Sequence, residues 1–155
     1  SAQAQQFKEV LTGVCQDLAL QIVADGEGAT KCVSILVKGA RTDRQADMAA
    51  RTIANSPLVK TAFFGQDANW GRIIAALGRS GANFDPDQVD ISFDDVLMVQ
   101  NGLGLGVVAE TAATRVLQTA QFTVTIDLKA GKASRVVHTS DFSLDYVKIN
   151  ADYRT

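Results

Sequence analysis

The fold of this chain is organised around one short stretch, Lys31-Cys32-Val33-Ser34-Ile35-Leu36-Val37-Lys38. Its apolar residues run almost without interruption instead of alternating with polar ones. Such a run is typical of a strand whose two faces are both covered by other elements. The sequence therefore predicts a buried strand over residues 31–38, and Gly39 ends it.

Amphipathic helices flank this strand on both sides. Before it, an apolar stripe recurs at steps of three and four residues, which predicts a helix that runs to about Ala24 and is stopped by the glycines that follow. The stripe consists of Phe7, Val10, Leu11, Val14, Leu18 and Ile22. After the strand, Thr42 and Gln45 have the spacing of a capping box, and a narrow face of small residues continues to about Asn55.

The rest of the chain continues the alternation of helices and strands. Leu58–Phe64 follows the break at Ser56-Pro57, and we interpret this apolar run as a second buried strand, followed by a helix that Asp67 caps. Helices that alternate first with single strands and then with antiparallel pairs predict an α/β (α+β) fold, a mixed β-sheet with helices packed on it. The remaining elements are strands over residues 89–93, 96–100, 122–128 and 134–139 and a helix over residues 109–119.

Composition and charge exclude several classes of protein. The chain has 155 residues, of which 46% are hydrophobic and 21% charged, as in an ordinary globular domain. No stretch approaches the ~20 consecutive apolar residues that cross a bilayer, and the first helix lacks the pattern of a signal peptide. With 15 basic and 17 acidic side chains, the chain has no basic excess to offer a phosphate backbone. We therefore expect a cytoplasmic protein that binds neither membrane nor nucleic acid.

Several patterns resemble known sites, but their spacing does not fit. The glycine-rich segment at residues 102–106 lacks the third glycine of a dinucleotide fingerprint and the Lys-Ser or Lys-Thr of a phosphate loop, which favours a turn. His138, the only histidine, has no nearby Ser, Cys and Asp arrangement, and we interpret it as structural. Cys15 and Cys32 have no metal or redox spacing, so we expect two buried free thiols. Nothing in the sequence supports a metal site.

One polar loop combines features of a binding site. In Asp25-Gly26-Glu27-Gly28-Ala29-Thr30-Lys31, a carboxylate lies between two glycines at the junction of a helix and a buried strand. Glycines allow the backbone to approach a ligand closely, and the carboxylate of Glu27 is the right group to meet an ammonium ion. From the residues alone, a helix-terminating loop and a substrate-binding loop both fit this segment.

A second segment, Gly65 to Arg72, can be explained by folding alone. Gly65 would form the turn, Asp67 would cap a helix, Trp70 would pack on the sheet and Arg72 would pair with an acid. The alternative is that the run Asn69-Trp70-Gly71-Arg72 shapes a neighbouring active site. The sequence leaves both roles open.

Two segments give the chain a resemblance to a known family. One is Leu58-Val59-Lys60-Thr61-Ala62-Phe63-Phe64-Gly65-Gln66-Asp67-Ala68-Asn69-Trp70-Gly71-Arg72, and the other is the C-terminal Asn150-Ala151-Asp152-Tyr153-Arg154-Thr155. Both resemble signatures of the ornithine acetyltransferase family, arginine-biosynthesis enzymes that move an acetyl group from N-acetylornithine to glutamate. The similarity runs from about Gly26 to Thr155. Many relatives have proline where this chain has Ala68, a first-turn position at which proline is favoured.

The resemblance implies a mechanism and a set of binding residues. Members of the family cut themselves into two chains, and the new N-terminal threonine attacks the acetyl amide while an oxyanion hole stabilises the intermediate. Those groups belong to upstream segments, so we expect no catalytic residue in this chain. The family pattern instead implies that Glu27, Asn150 and Thr155 bind the substrate, with the tail folded back over the active site. It implies no cofactor, although acetyl-CoA is a possible alternative acetyl donor.

The resemblance also implies a larger layered α/β protein. Residues 1–40 would belong to a catalytic domain shared with upstream segments, and residues 41–155 would form a C-terminal α/β domain. The expected partners are the upstream α chain and the rest of the β chain, in an α2β2 or larger assembly by analogy. Ser1 would then be a boundary and not a nucleophile, and this chain alone would be inactive with an exposed apolar face. The competing hypothesis is a stand-alone regulatory domain that binds a small amino acid and catalyses nothing.

Overall fold

The computed structural model describes residues 1–153, and within them helices and strands alternate along the chain. The helices are α1 (Ala2–Ala24), α2 (Asp43–Ala54), α3 (Pro57–Phe64), α4 (Trp70–Gly78), α5 (Val107–Leu117) and α6 (Leu144–Asp152), with a short 3-10 helix at Pro86–Gln88. The strands are β1 (Cys32–Ala40), β2 (Asp90–Phe93), β3 (Val96–Gln100), β4 (Leu103–Gly104), β5 (Gln121–Asp127) and β6 (Ala133–Ser140).

The strands form one mixed sheet in the order β4-β3-β2-β5-β1-β6. Strand β1 lies between β5, to which it is parallel, and β6, to which it is antiparallel. Its Val33 stands opposite Phe122 on one side and Thr139 on the other. Strand β2 is antiparallel to both β5 and β3. The mixed sheet with packed helices that the sequence predicts is therefore confirmed.

Helix α2 covers one face of the sheet. Val33, Ile35 and Val37 alternate along β1 and are fully buried in a single core with the inward face of α2. That inward face consists of Ala46, Ala49, Ala50 and Ile53, all fully buried. Because alanine side chains are short, the helix axis can lie close to the strands and exclude water from between them.

The predicted start of α2 is also present, but only half of the capping box forms. Thr42 Oγ1 accepts a hydrogen bond from the backbone N–H of Gln45 at 3.2 Å. The side chain of Gln45 does not return this bond to Thr42, because its Oε1 accepts from the backbone N–H of Asn83 at 3.4 Å. The glutamine therefore ties α2 to the segment that follows α4.

The strand predicted at Leu58–Phe64 is wrong, because these residues form helix α3. Pro57 occupies the first helical turn, where its fixed φ angle and missing N–H favour a helix start. The buried residues Val59, Ala62 and Phe63 then follow the spacing of a helix face. A short apolar run fits either element by composition, and here the proline decides.

The other face of the sheet is only partly covered. Helix α1 has no buried residue, and its apolar stripe is open to solvent, from Leu11 at 49% exposed to Ile22 at 74%. Beneath it, Cys32, Ser34 and Leu36 of β1 are half-buried. The expectation that both faces of β1 are fully covered is therefore wrong within residues 1–153, as is the expectation that Cys15 is buried, since this thiol on α1 is exposed.

Helix α6 follows β6 and was not expected from the sequence, which treats this region only as a tail. Ser143 caps it by accepting a hydrogen bond from the backbone N–H of Tyr146 at 3.1 Å. None of its residues is buried. Across residues 1–153, no helix combines the length and the apolar character needed to cross a bilayer.

Candidate functional site

The loop that carries Glu27 joins the end of α1 to the start of β1. Its first turn is closed by a hydrogen bond from the backbone N–H of Ala29 to the carbonyl oxygen of Gly26 at 2.9 Å. Gly28 has a φ angle of 67°, a conformation that favours glycine. The side chain of Glu27 is exposed, so its carboxylate is free to approach a dissolved molecule.

A buried carboxylate holds the end of this loop. Asp141 is 3% exposed, and its Oδ1 accepts hydrogen bonds from the backbone N–H groups of Thr30 and Lys31 at 2.8 and 3.0 Å. Its Oδ2 accepts from the hydroxyl of Thr30 at 2.5 Å. A charged acceptor forms stronger hydrogen bonds than a neutral one, and these bonds offset the cost of burying it. Asp141 thereby joins the loop before β1 to the segment that leads into α6.

A second link connects the same loop to helix α6. The hydroxyl of Ser143 donates to the carbonyl oxygen of Gly28 at 2.5 Å. The first turn of α6 lies so close that a Cβ atom on Gly28 would overlap the backbone of Tyr146. A glycine is therefore required at residue 28 both by its φ angle and by the approach of the helix.

Asn150 lies on α6 about one helical turn, or ~6 Å, beyond Tyr146. Its side chain is exposed, and Nδ2 donates to the carbonyl oxygen of Tyr146 at 2.9 Å. Of the three residues expected to bind substrate, the structure thus places the Glu27 loop against the helix that carries Asn150. The third, Thr155, lies outside the described residues 1–153.

Lys60 of α3 lies beside the segment that joins β6 to α6. Its Nζ donates to the hydroxyl oxygens of Thr139 at 3.0 Å and Ser140 at 3.4 Å, and its carbonyl oxygen accepts from the backbone N–H of Phe142 at 3.1 Å. Burial lowers the pKa of Lys60 below its ordinary value, and the nearby negative charge of Asp141 offsets part of that effect. The lysine thus supplies a positive charge close to the buried aspartate.

Sequence reasoning missed both Asp141 and Lys60. The one local signal was the run Asp141-Phe142-Ser143 before Leu144, because a serine that precedes an apolar residue is a common helix start. That signal would have predicted the helix α6. It would not have predicted that Asp141 binds a loop 110 residues earlier in the chain.

The histidine lies on the partly covered face of the sheet. A cavity of about 460 Å³ separates the C-terminal end of α1 from β1, β5 and β6, and both Ser34 and His138 line it. Ser34 Oγ and His138 Nδ1 are 2.9 Å apart, in a hydrogen bond between directly paired residues of β1 and β6. Burial raises the pKa of the Cys32 thiol in the same cavity, which disfavours the reactive thiolate. The hydrogen bond between Ser34 and His138 links β1 to β6, in keeping with a structural histidine.

The segment from Asp67 to Arg72 forms the start of α4, but with different contacts from those expected. Asn69, and not Asp67, caps the helix, since its Oδ1 accepts from the backbone N–H of Arg72 at 3.2 Å. Within residues 1–153 Arg72 pairs with no acid; its Nη1 donates to the carbonyl oxygen of Leu58 at 2.8 Å and to Thr61 Oγ1 at 3.2 Å. The segment therefore ties α4 to α3. A cavity of about 330 Å³ beside it is lined by Asp67, Trp70, Met98 and Glu110, among others.

Comparisons with known proteins identify the class of protein that this fold and this loop define. The ArgJ family matches the chain over residues 1–155. The Arginine biosynthesis bifunctional protein ArgJ of Desulfotalea psychrophila is 61% identical over 152 residues, which are 98% of this chain. The Glutamate N-acetyltransferase of Methanocaldococcus jannaschii is 44% identical over an alignment of 158 residues that covers 97% of this chain.

Structural comparison agrees. The crystal structure of the Arginine biosynthesis bifunctional protein argJ from Bacillus halodurans matches with a TM-score of 0.91 at 38% identity, over 96% of this chain and 70% of that chain. The chain belongs to the ArgJ family, which confirms the resemblance drawn from its two motifs. It spans 39% of the length of both curated relatives named above.

Proposed function

We propose that this chain is the C-terminal part of an acetyltransferase that moves an acetyl group from N-acetylornithine to glutamate in arginine biosynthesis. The observation that carries the proposal is the contact of the Glu27 loop with the first turn of helix α6, the helix on which Asn150 lies about one turn further along. The carboxylate of Glu27 suits an ammonium group, and the amide of Asn150 can donate or accept. The relatives from Desulfotalea psychrophila and Methanocaldococcus jannaschii, an arginine biosynthesis bifunctional protein and a glutamate N-acetyltransferase, support the same activity.

The chemistry divides between this chain and upstream segments. In the proposed reaction the hydroxyl of an N-terminal threonine, contributed upstream, attacks the acetyl amide, the C–N bond breaks, and ornithine leaves with the hydroxyl proton on its amine. The amino group of glutamate then attacks the acetyl ester, which forms N-acetylglutamate and returns a proton to the threonine oxygen. Glu27 and Asn150 hold the amino-acid end of each substrate, and Thr155 adds its hydroxyl and carboxylate. The proposed reaction needs no cofactor, and acetyl-CoA is proposed only as an alternative acetyl donor.

The exposed face of α1 supports the proposed domain arrangement. Its stripe of apolar side chains would be covered by upstream segments, so that residues 1–40 complete a catalytic domain while residues 41–155 form the C-terminal α/β domain. The partners are then the α chain and the rest of the β chain, in an α2β2 or larger assembly. By this proposal the chain alone is inactive.

The test compares acetyl transfer by this chain alone with transfer by the chain co-expressed with its upstream gene segment. Activity only in the completed protein is the expected result. In that protein Glu27→Gln should lower kcat/KM for N-acetylornithine about 10- to 100-fold, because a hydrogen bond to a charged group is lost. The matched control is Asp95→Asn, which also removes one exposed carboxylate charge, in the turn between β2 and β3, and should leave kcat/KM near the parent value.

Two outcomes would contradict the proposal. Transfer by the chain alone would show that the nucleophile does not come from upstream segments. Silence of the completed protein, together with amino-acid binding by the isolated chain, would favour the regulatory domain instead.

A further inference from the structure

We propose that Asp141 is a positioning residue that fixes the Glu27 loop on the first turn of helix α6, so that Glu27 and Asn150 act on a substrate as one unit. This inference rests on the proposed function and deepens it. Asp141 itself is 3% exposed, which leaves almost none of it accessible to a dissolved substrate, so we expect any effect it has on binding to pass through the loop or the helix.

The hydrogen bonds of Asp141 hold the loop at the residues that directly follow the Glu27 turn. Its carboxylate accepts from the backbone of Thr30 and Lys31, directly after the Glu27 turn, while its own backbone leads into Ser143 and α6. The bond from Ser143 to Gly28 closes a second link on the other side of the same turn. The loop is thus held to α6 at two points that are 110 and 115 residues away in the sequence.

Lys60 ties helix α3 to the segment that carries this anchor. Its ammonium group is held beside the end of β6 by Thr139 and Ser140, and its carbonyl oxygen fixes Phe142, the residue between Asp141 and Ser143. A carboxylate binds the N–H groups of the loop more strongly than a neutral amide would.

This arrangement predicts a specific defect when the charge is removed. Asp141→Asn keeps the size and one acceptor oxygen, so the fold should survive, but the bonds to the loop weaken. A displacement of a binding group by ~1 Å can cost ~100-fold in rate even far from the chemistry. In the completed enzyme, kcat/KM for N-acetylornithine should fall about 10- to 100-fold, with most of the change in KM.

The experiment is a double-mutant cycle in the completed enzyme with Glu27→Gln, Asp141→Asn and the double variant, each measured for KM, kcat and Tm. If Asp141 acts through Glu27, the double variant should be no more than about twofold worse than Glu27→Gln alone. Multiplied losses would overturn the inference, because they would show that the two residues act independently.

Two further variants separate positioning from stability. Asp90→Asn is the matched control, since Asp90 also accepts a backbone N–H, that of Asn101 at 2.8 Å, but at another part of the sheet. It should change Tm and leave KM unchanged. If Asp141→Asn fails to fold, Thr30→Val removes only the hydroxyl link and should raise KM less, whereas Thr30→Ser should restore it.

The outcomes also separate this inference from the proposed function. No transfer by the parent enzyme, or no effect of Glu27→Gln, would overturn the proposed function or its site, and the inference with it. An active parent, an impaired Glu27→Gln variant and an unchanged KM in both Asp141→Asn and Thr30→Val would overturn the inference alone.

Discussion

Helices α1 and α2 differ in whether their apolar faces are covered by the rest of the molecule. Both show an apolar face in the sequence, yet α2 buries five residues and α1 buries none. The difference does not follow from hydrophobicity, because the face of α2 consists mostly of alanines, whereas α1 presents Phe7, Leu11 and Ile22 to solvent. An apolar face therefore shows that a helix needs a partner, but not that the partner lies within these residues.

The largest test of this comparison uses the same substitution on each helix. Ile53 of α2 is fully buried, and Ile53→Ala should lower the free energy of unfolding by about 2–5 kcal/mol, because it removes apolar contacts and leaves a cavity. Ile22 of α1 is 74% exposed, and Ile22→Ala should change it by no more than about 0.5 kcal/mol. Urea unfolding of both variants of this chain measures the difference. Equal losses would contradict the view that α1 is uncovered.

In the completed protein the same pair sharpens the proposal about upstream segments. If those segments cover α1, the cost of Ile22→Ala should rise toward that of Ile53→Ala. An unchanged, small effect in the completed protein would mean that the stripe of α1 stays open to solvent.

Two glycine substitutions, one on the covered strand β1 and one on the uncovered helix α1, should have smaller effects on stability, and these effects should be opposite in sign. Gly39 of β1 has a φ angle of 69°, and a Cβ atom there would lie 2.5 Å from Asp127 Oδ1 and 2.8 Å from the backbone nitrogen of Lys129. Gly39→Ala should therefore destabilise the protein by about 1–3 kcal/mol. Gly13 of α1 has no atom within 4 Å of such a Cβ, so Gly13→Ala should stabilise the helix by about 0.5–1 kcal/mol.

Denaturant unfolding measures the first substitution, and amide hydrogen exchange along α1 measures the second. Slower exchange in the Gly13→Ala variant, with no change in the sheet, is the expected result. Faster exchange would show that Gly13 has a packing role that the surroundings of this residue do not reveal.

The smallest expected effect is a pH dependence of the free energy of unfolding that comes from Asp90 of strand β2. Burial raises the pKa of Asp90, but the hydrogen bonds from Lys129 Nζ at 2.7 Å and from the backbone of Asn101 outweigh it and hold the pKa below its ordinary value of 3.8. A lowered carboxyl pKa stabilises the fold at neutral pH, and that stabilisation is lost as the pH falls below 3.8 and through the folded-state pKa.

The measurement is the free energy of unfolding of the parent and of Asp90→Asn between pH 7 and pH 2. The gap between the two should shrink as the pH falls through this range, and Lys129→Met should remove part of the same pH dependence. A gap that widens toward low pH would contradict the direction given for Asp90.

Local sequence signals predicted the elements well where one signal was decisive. The alternating residues of β5 and the cap of α2 at Thr42 are both present as expected. At Leu58–Phe64 two signals compete: the apolar run favours a strand, whereas Pro57 favours a helix start, and the proline fixes the start of α3. Asn69 caps α4 in place of Asp67 for a comparable reason, since both residue types are good caps and only the path of the loop selects between them.

The candidate site shows the same limit at longer range. Glu27 and Asn150 came from the resemblance to a family, and the structure places their loop and helix together. Asp141 and Lys60 carried no signal of this role, because their partners lie on distant segments that only the sheet brings near.

By itself, the sequence determined most of the helices and strands, the mixed sheet and the family, because these depend on local periodicity, caps and motifs, but it missed helices α3 and α6. Only the tertiary structure decided which apolar faces are covered, where Asp141 binds and how the Glu27 loop meets α6. The physical reason is that burial and hydrogen bonding depend on contacts between residues far apart in the chain, and no local pattern encodes which distant group will fill them.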